Sequence, residues 1–384
     1  MKPYRRYSLL VAAFLLGQSI IVTLFNLAID PYTTFNSPAI LGFNKVKPKQ
    51  DKQVRMYKAI AITRLQPKIV FIGSSRTEFG LDPSHPVFEG DRPYNLAVTG
   101  ANIYEAKRYL DHAIANQPNL KKAIVGLDFF MFNDRGKNAP DFRESRLGVD
   151  RFTIPDKINS LFSIDAFIAS LITIQSNLKE TNAPGYFYSD GRRVPGYYRK
   201  HVYLNQHNRW IFKASLRRNR FLIGGDKPEE RSNISEKYLN SLKAIVEICQ
   251  TQKIDCQFFI SPSHVSQWEF IRLSGVWPLF EQWKREIVEI TPVWDFSGYN
   301  SITTEPIGRR MKYYLDNSHY LKPVGDLLLN RIFQYREESV PGDFGVKIDT
   351  DNIESHLEKI RSDREVWSLN NPDEVKWVQR VKQK

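Results

Sequence analysis

The stretch KIVFIGSSRTEFGLDP, residues 68–83, decides the fold class. Its apolar run, Ile69 to Ile72, is short and stops at Gly73, the pattern of a strand buried on both sides that ends in a tight turn. Glycine permits an unusual backbone there, and a serine just beyond projects its hydroxyl from the first turn of a following helix. In open α/β sheets ligands gather beyond the carboxyl ends of the strands, which is where this turn puts Ser75. An ordinary strand-to-helix cap has the same composition, so the stretch alone supplies a position without a chemistry.

Outward from it, Tyr94 to Val98 reads as a second short strand closing on Thr99 and Gly100. Asn102 to Ile114 has helical spacing through Ile103, Ala106, Tyr109, Leu110 and Ala113, and Ala123 to Asp128 is a third strand. Strands alternating with helices predict an α/β domain of three layers, a parallel sheet of about five strands covered on both faces, over residues 61–340. The alternation breaks at a long insert, about residues 135–232, whose one apolar segment, Ile158 to Ile174, reads as a helix interrupted by Asp165 and Ser170. It resumes with helices over Ser235–Gln250, Leu279–Ile290 and Pro323–Tyr335 and strands over Gln257–Ile260 and Pro292–Phe296. Pro341 and Gly342 mark a boundary, and residues 341–384 read as a polar tail with one amphipathic helix near Ile353 to Val366.

Residues 7–29 carry no charge. As a helix they extend about 34 Å against a hydrocarbon core of about 30 Å. Lys2, Arg5 and Arg6 precede them, so the positive-inside rule predicts a single-pass anchor in the plasma or inner membrane, with the domain on the extracytoplasmic, periplasmic side. A cleaved signal peptide is the competing reading. Asn26-Leu27-Ala28 is a poor cleavage site and the apolar run is long for such a segment, which favours a retained anchor. Residues 30–60 read as a basic juxtamembrane linker, with Lys45, Lys47, Lys49, Lys52 and Arg55 expected against anionic lipid. Cys249 and Cys256 are the only cysteines; they form a disulfide across a short loop or remain two thiols, and the sequence leaves both open. A metal site is not expected, because no histidine-rich partner lies near them. Hydrophobic content of 42% excludes global disorder, and the net charge of +13 implies an anionic neighbour. Zinc-finger, Walker and RNP-like patterns are all lacking, which argues against nucleic acid.

The chemistry begins with a second element, Asp316-Asn317-Ser318-His319. A serine nucleophile needs a base, and the base needs a carboxylate that fixes its tautomer; an Asp and a His three residues apart can supply both from one loop. The GSS turn at residues 73–75, NLAVTG at 95–100 and DNSH at 316–319 together resemble the conserved blocks of the SGNH/GDSL hydrolase family, in that family's order, over roughly residues 66–336 apart from the insert. The resemblance implies a flavodoxin-like sandwich, Ser75 rather than Ser74 as nucleophile, His319 as base, Asp316 as its orienting acid, and no cofactor. It also implies that the N–H groups of Ser75 and Gly100 receive the oxyanion. The G-x-S-x-G elbow of ordinary α/β-hydrolases does not occur around Ser75.

One block departs from that pattern. The family carries an oxyanion-binding asparagine after the third strand, whereas here GLDFFMFND, residues 126–134, puts Asn133 several residues late and Asp128 nearer the expected place. Losing one such donor costs about 100- to 1000-fold in turnover. Three outcomes follow: Asn133 reaches back, another donor substitutes, or the enzyme is slow. An ionised Asp128 would repel an oxyanion, so it is expected either to pair with Arg76 or to cap the strand end. His264, in SPSH at 261–264, follows a core strand and either faces the cleft or caps the next element.

The departure resembles membrane-attached members of the family that transfer or remove acyl groups on envelope polymers, and the Asn26…Asp30-Pro31-Tyr32 junction is similar as well. This implies a serine esterase or O-acyltransferase acting on an ester of a cell-envelope or exported glycan. The alternative is a non-catalytic scaffold of the same fold that binds an envelope polymer or an assembly partner. The insert adds a basic, aromatic surface: no acid occurs from Arg192 to Gly225, where Arg193, Arg199, Lys200, Arg209 and Arg218 lie among Tyr197, Tyr198, Tyr203 and Trp210. That composition suits an anionic glycan or an anionic lipid surface.

Overall fold

Strand β1 (Ile69–Ile72) is buried throughout, and its side chains divide by parity. Val70 and Ile72 join one hydrophobic core, Ile69 and Phe71 another. The same division runs through β3 (Lys122–Leu127) and β4 (Asp255–Ile260), so the sheet has a core on each face. The computed structural model describes residues 2–149, 152–179, 185–196, 208–218, 233–309 and 311–383. With β2 (Pro93–Asn95), β5 (Val293–Asp295) and β6 (Val346–Ile348), the strands form one six-stranded sheet in the order β2-β1-β3-β4-β5-β6. Every pairing is parallel except β5 with β6. The chain leaves β1 for the edge at β2 and returns past β1 to β3, and that reversal opens a crevice at the carboxyl ends of these strands.

In chain order the described helices are α1 (Lys2–Ile29), α2 (Val54–Leu65), α3 (Ser75–Gly80), α4 (Ile103–Asn116), α5 (Ile154–Phe162), α6 (Ile164–Lys179) and α7 (Asn208–Arg218). They continue with α8 (Glu236–Thr251), α9 (Val265–Leu273), α10 (Trp277–Val288), α11 (Lys322–Phe333), α12 (Ile353–Asn370) and α13 (Pro372–Gln383). Helices α2, α4, α8, α9 and α10 cover one face, and α11 covers the other through Val324, Leu328 and Leu329. Helix α1 is long and apolar enough to cross a membrane, and its apolar window is unburied.

Several expectations are corrected. The segment read as one helix over 158–174 is two, α5 and α6, bent by 54° about Ser163. Residues 341–384 are no appended tail: β6 extends the sheet, and Leu357, Ile360, Val378 and Val381 are buried in the first core. Their apolar residues are sparse in a charged sequence and form only a narrow stripe, so composition reads them as polar. Two of the five basic residues expected against lipid, Lys47 and Arg55, are instead buried inside the protein, while Lys45 and Lys52 are exposed. Lys47 Nζ donates to the carbonyls of Ile29 and Asp30 at 3.2 and 2.6 Å, satisfying groups that a helix end leaves open. Arg55, in α2, pairs with Glu105 and Asp141 at 2.7 and 2.9 Å. Cys249 and Cys256 are joined as a disulfide between the end of α8 and β4.

Because Leu357 is 1% exposed, Leu357→Ala should lower unfolding free energy by about 2–5 kcal/mol. Urea denaturation of the detergent-solubilised chain measures this, and an unchanged midpoint would mean that the C-terminal helices are not part of the folded core.

Candidate active site

The turn after β1 depends on a close approach. Gly73 has φ +151°, and a Cβ there would stand 2.5 Å from Thr77 Oγ1. Ser74 caps α3, its hydroxyl accepting from Arg76 N at 3.2 Å, so Ser75 becomes the first helical residue. From Ile69 to Pro83 every residue except Ser75 is buried. The neighbouring loop ends at Gly100, whose φ of +68° suits glycine. Among the described residues no hydrogen bond engages the N–H of Ser75 or of Gly100.

His319 arrives from the far end of the chain. An antiparallel bridge between Tyr314 and Tyr320 closes Asp316–His319 into a tight turn, with Leu315 N donating to His319 O at 2.9 Å. His319 Nε2 lies 2.9 Å from Ser75 Oγ, and its Nδ1 lies 2.9 and 3.0 Å from the two Asp316 oxygens. The ring edge also packs on Phe79, with centroids 5.2 Å apart. Burial pushes the Asp316 carboxyl up, but the contact with His319 and the N–H groups of Ser318 and His319 outweigh it and bring it down to about 2. An ionised carboxylate that accepts from Nδ1 leaves Nε2 free to take a proton from Ser75.

Asp128 and Arg76 form a buried ion pair at 2.8 Å, and Ser74 Oγ also donates to Asp128. Arg76 Nε reaches Ser318 Oγ at 2.9 Å, so this side chain ties the end of β3 to the histidine turn. Neutralised in this way, Asp128 places no free charge beside Ser75. Asn133 lies beyond the short turn of Phe129–Phe132, bridged to Ile234 at the root of the insert, and its Oδ1 accepts from Arg135 N at 2.8 Å. His264 is 2% exposed and caps α9: Nδ1 accepts from Ser266 N at 3.1 Å, and Nε2 lies 2.7 Å from Glu305 O. Both ring nitrogens are thus engaged by partners inside the protein.

Other groups around the site carry little sequence signal. Glu78, fully buried in α3, pairs with Lys58 at 2.8 Å and Arg193 at 3.3 Å and accepts from Thr99 Oγ1 at 2.7 Å. Lys58 also donates to Ala97 O, and Arg55 to Thr99 O, so buried cations fix the loop that ends at Gly100. A charged residue inside an otherwise buried stretch was the one available sign of such a cluster. Asn317 donates to Gln267 Oε1 at 2.6 Å, anchoring the histidine turn to α9, a helix the sequence reading missed. The insert's basic surface is partly used up as well. Arg192 lies 3.5 Å from Asp82, Arg193 joins the Glu78 cluster, and Arg209 pairs with Glu374. Arg218, at the end of α7, is exposed with its guanidinium 3.9 Å from Asp316. Arg199, Lys200, Tyr197, Tyr198 and Tyr203 lie outside the described residues.

The chain matches no protein-family model, and no curated protein matches it.

Burial brings the His264 imidazole down from 6.5 to about 4, the bond to Glu305 opposing the shift. The unfolded chain binds this proton near pH 6.5 and the folded chain only near 4, so the stabilisation is complete above pH 6.5 and is lost as pH falls toward 4. The loss is about 3 kcal/mol. Urea titrations across that window should show a flatter pH dependence for His264→Gln than for wild type; equal slopes would refute a buried neutral histidine.

Proposed function

We propose that this chain is a serine esterase or O-acyltransferase of the SGNH/GDSL type, acting through an acyl-enzyme on an ester of a cell-envelope or exported glycan. The observation that carries the reading is the continuous hydrogen-bond chain from Asp316 through His319 to Ser75, between residues 244 apart in sequence. In the first half-reaction Ser75 Oγ attacks the ester carbonyl while His319 Nε2 takes the hydroxyl proton. The free N–H groups of Ser75 and Gly100 receive the developing oxyanion. Collapse breaks the ester C–O bond, and His319 returns the proton to the departing alcohol. In the second half, water or a sugar hydroxyl gives its proton to His319, attacks the acyl-enzyme and releases Ser75. Water makes the protein an esterase, and a sugar hydroxyl makes it a transferase.

Supporting observations come from the rest of the chain. The strand order β2-β1-β3-β4-β5 is the flavodoxin-like one, with β6 as an added antiparallel edge. The Cys249–Cys256 disulfide suits an oxidising compartment, in keeping with α1 as an anchor and the domain on the extracytoplasmic side. Arg218, exposed at the end of α7, puts a cation 3.9 Å from Asp316, and the same helix exposes the aromatic face of Trp210; these are groups a glycan acceptor would use.

A second reading is favoured by Asn133, which is bridged to Ile234 at the insert's root beyond the turn of Phe129–Phe132, whereas the family's third oxyanion donor is expected directly after the strand. On that reading the protein is a binding scaffold. A fluorophosphonate probe separates the two, since it reacts only with an activated serine. Wild type should label, and Ser75→Ala should not, while keeping its thermal midpoint. Asp316→Asn should lower turnover of a short-chain aryl ester about 10⁴-fold, the loss expected when the histidine tautomer is wrong. Labelling of Ser75→Ala that vanishes in Ser74→Ala would move the nucleophile by one residue; an unlabelled wild type would establish the scaffold.

A further inference from the structure

Helices α5 and α6 are inside out for a soluble protein. A helix on a water-soluble domain buries its large apolar residues and exposes polar ones. Here the buried face of α6 is Ala166, Ala169, Ser170, Thr173 and Asn177. Its exposed face carries Ile164, Ile168, Leu171 and Leu178, and α5 continues the stripe with Ile154, Ile158 and Phe162. Ile164, at the bend, is 77% exposed. Small residues packed inward, polar groups bonding across helices and large apolar residues outward are how helices associate in lipid.

The pair sits where α1 meets the domain. Asn26, in the last turn of α1, donates to Leu161 O at 2.8 Å and accepts from Ser170 Oγ at 2.8 Å. Phe25 and Phe167 pack with centroids 5.5 Å apart, and Tyr32, just past α1, donates to Asp165 O. The far ends are tied to the domain: Arg146 holds Asp156 at 2.7 Å, and Asn177 bonds the backbone of Val46 in both directions. Neither helix spans a bilayer, since α5 has 9 residues and α6 has 16, against about 20 for a crossing, and they are bent by 54°. Two exposed charges, Lys157 and Asp165, border the stripe and suit headgroup depth, not the acyl core.

We infer that α5 and α6 form a wedge seated in the membrane interface beside α1, with the stripe from Ile154 to Leu171 facing acyl chains and Lys157 and Asp165 among the headgroups. The inference rests on α1 spanning the membrane. It also sets where the triad works. Met56 and Ile60 of α2 share a core with Ala166 and Ala169 of α6, while Arg55 and Lys58 of the same helix hold Thr99 and Ala97. One helix diameter, about 10 Å, therefore separates the wedge from the oxyanion loop.

The test uses the full chain in vesicles of phosphatidylethanolamine and phosphatidylglycerol. Both native cysteines are disulfide-bonded, so one introduced cysteine takes a nitroxide label. Labels go on Ile164→Cys, Ile168→Cys, Ile20→Cys in α1 and Leu369→Cys, an exposed residue on α12. Power saturation with oxygen, which concentrates in acyl chains, and with a water-soluble nickel chelate reports the surroundings of each. The oxygen-to-nickel ratio at Ile164 and Ile168 should exceed that at Leu369 several-fold and approach that at Ile20. A ratio at Ile164 equal to that at Leu369, with Ile20 still oxygen-rich, overturns the wedge and leaves the anchor. Protection of Ile164 from both reagents also overturns it, since protein would then cover the stripe. A nickel-accessible Ile20 removes the anchor and the wedge with it.

Discussion

Gly325 of α11 lies so near the carbonyl of Gly80 that a Cβ at that position would stand 2.0 Å from the oxygen, and a Cβ on Gly80 would enter the Tyr320 ring. Only two glycines let α3 and α11 approach to this distance. Ser75 begins α3, and His319 precedes the start of α11 by three residues, so the separation of these helices sets the 2.9 Å between hydroxyl and imidazole. Nothing in the Asp316–His319 turn can compensate for a wider gap, because its own geometry is closed by the Tyr314–Tyr320 bridge. The Ser75–His319 contact therefore depends on a backbone approach that contains no reactive group.

A second constraint is electrostatic. Glu78 is fully buried on the helix that begins with Ser75, and a carboxylate there is tolerated only because Lys58, Arg193 and Thr99 surround it. Burial pushes its carboxyl up, and the two cations bring it down below the ordinary value. Lys58 and Arg55 also donate to the carbonyls of Ala97 and Thr99, and Arg193 donates to the Thr99 hydroxyl. Charge neutralisation under α3 and positioning of the loop beside it are thus one network, assembled from α2, α3, the loop after β2 and the insert. The Arg76–Asp128 pair plays the matching part on the other side, joining β3 to the histidine turn.

Legibility in the sequence followed range. The strands at 69–72, 122–127 and 255–260 were readable because a short apolar run bounded by turn residues is a local pattern, and their boundaries moved by two residues at most. Ser75, Asp316 and His319 could be singled out because the order of the GSS, NLAVTG and DNSH blocks resembles that of a known family, a likeness legible without reference to packing. Helix α9 was missed because its stripe is interrupted by buried polar residues, among them Gln267 and Glu269, whose partners lie on other elements. The helix read near Ile353 to Val366 is α12, but the polar appearance of residues 341–384 hid β6 and α13 for a related reason: a few buried side chains suffice when the surface against which they pack is already built.

By itself the sequence determined the alternation of strands and helices, the apolar stretch of α1 and the residue types available for acid–base work, since each is set by neighbours a few positions away. The tertiary structure decided the rest. It joined Cys249 to Cys256, gave Lys47 to the end of α1, took Arg193 and Arg209 out of the basic surface of the insert, and turned the large apolar residues of α5 and α6 outward. These outcomes depend on which distant segment supplies a partner, and a buried charge or an exposed isoleucine has no meaning until that partner, or the solvent that replaces it, is in place.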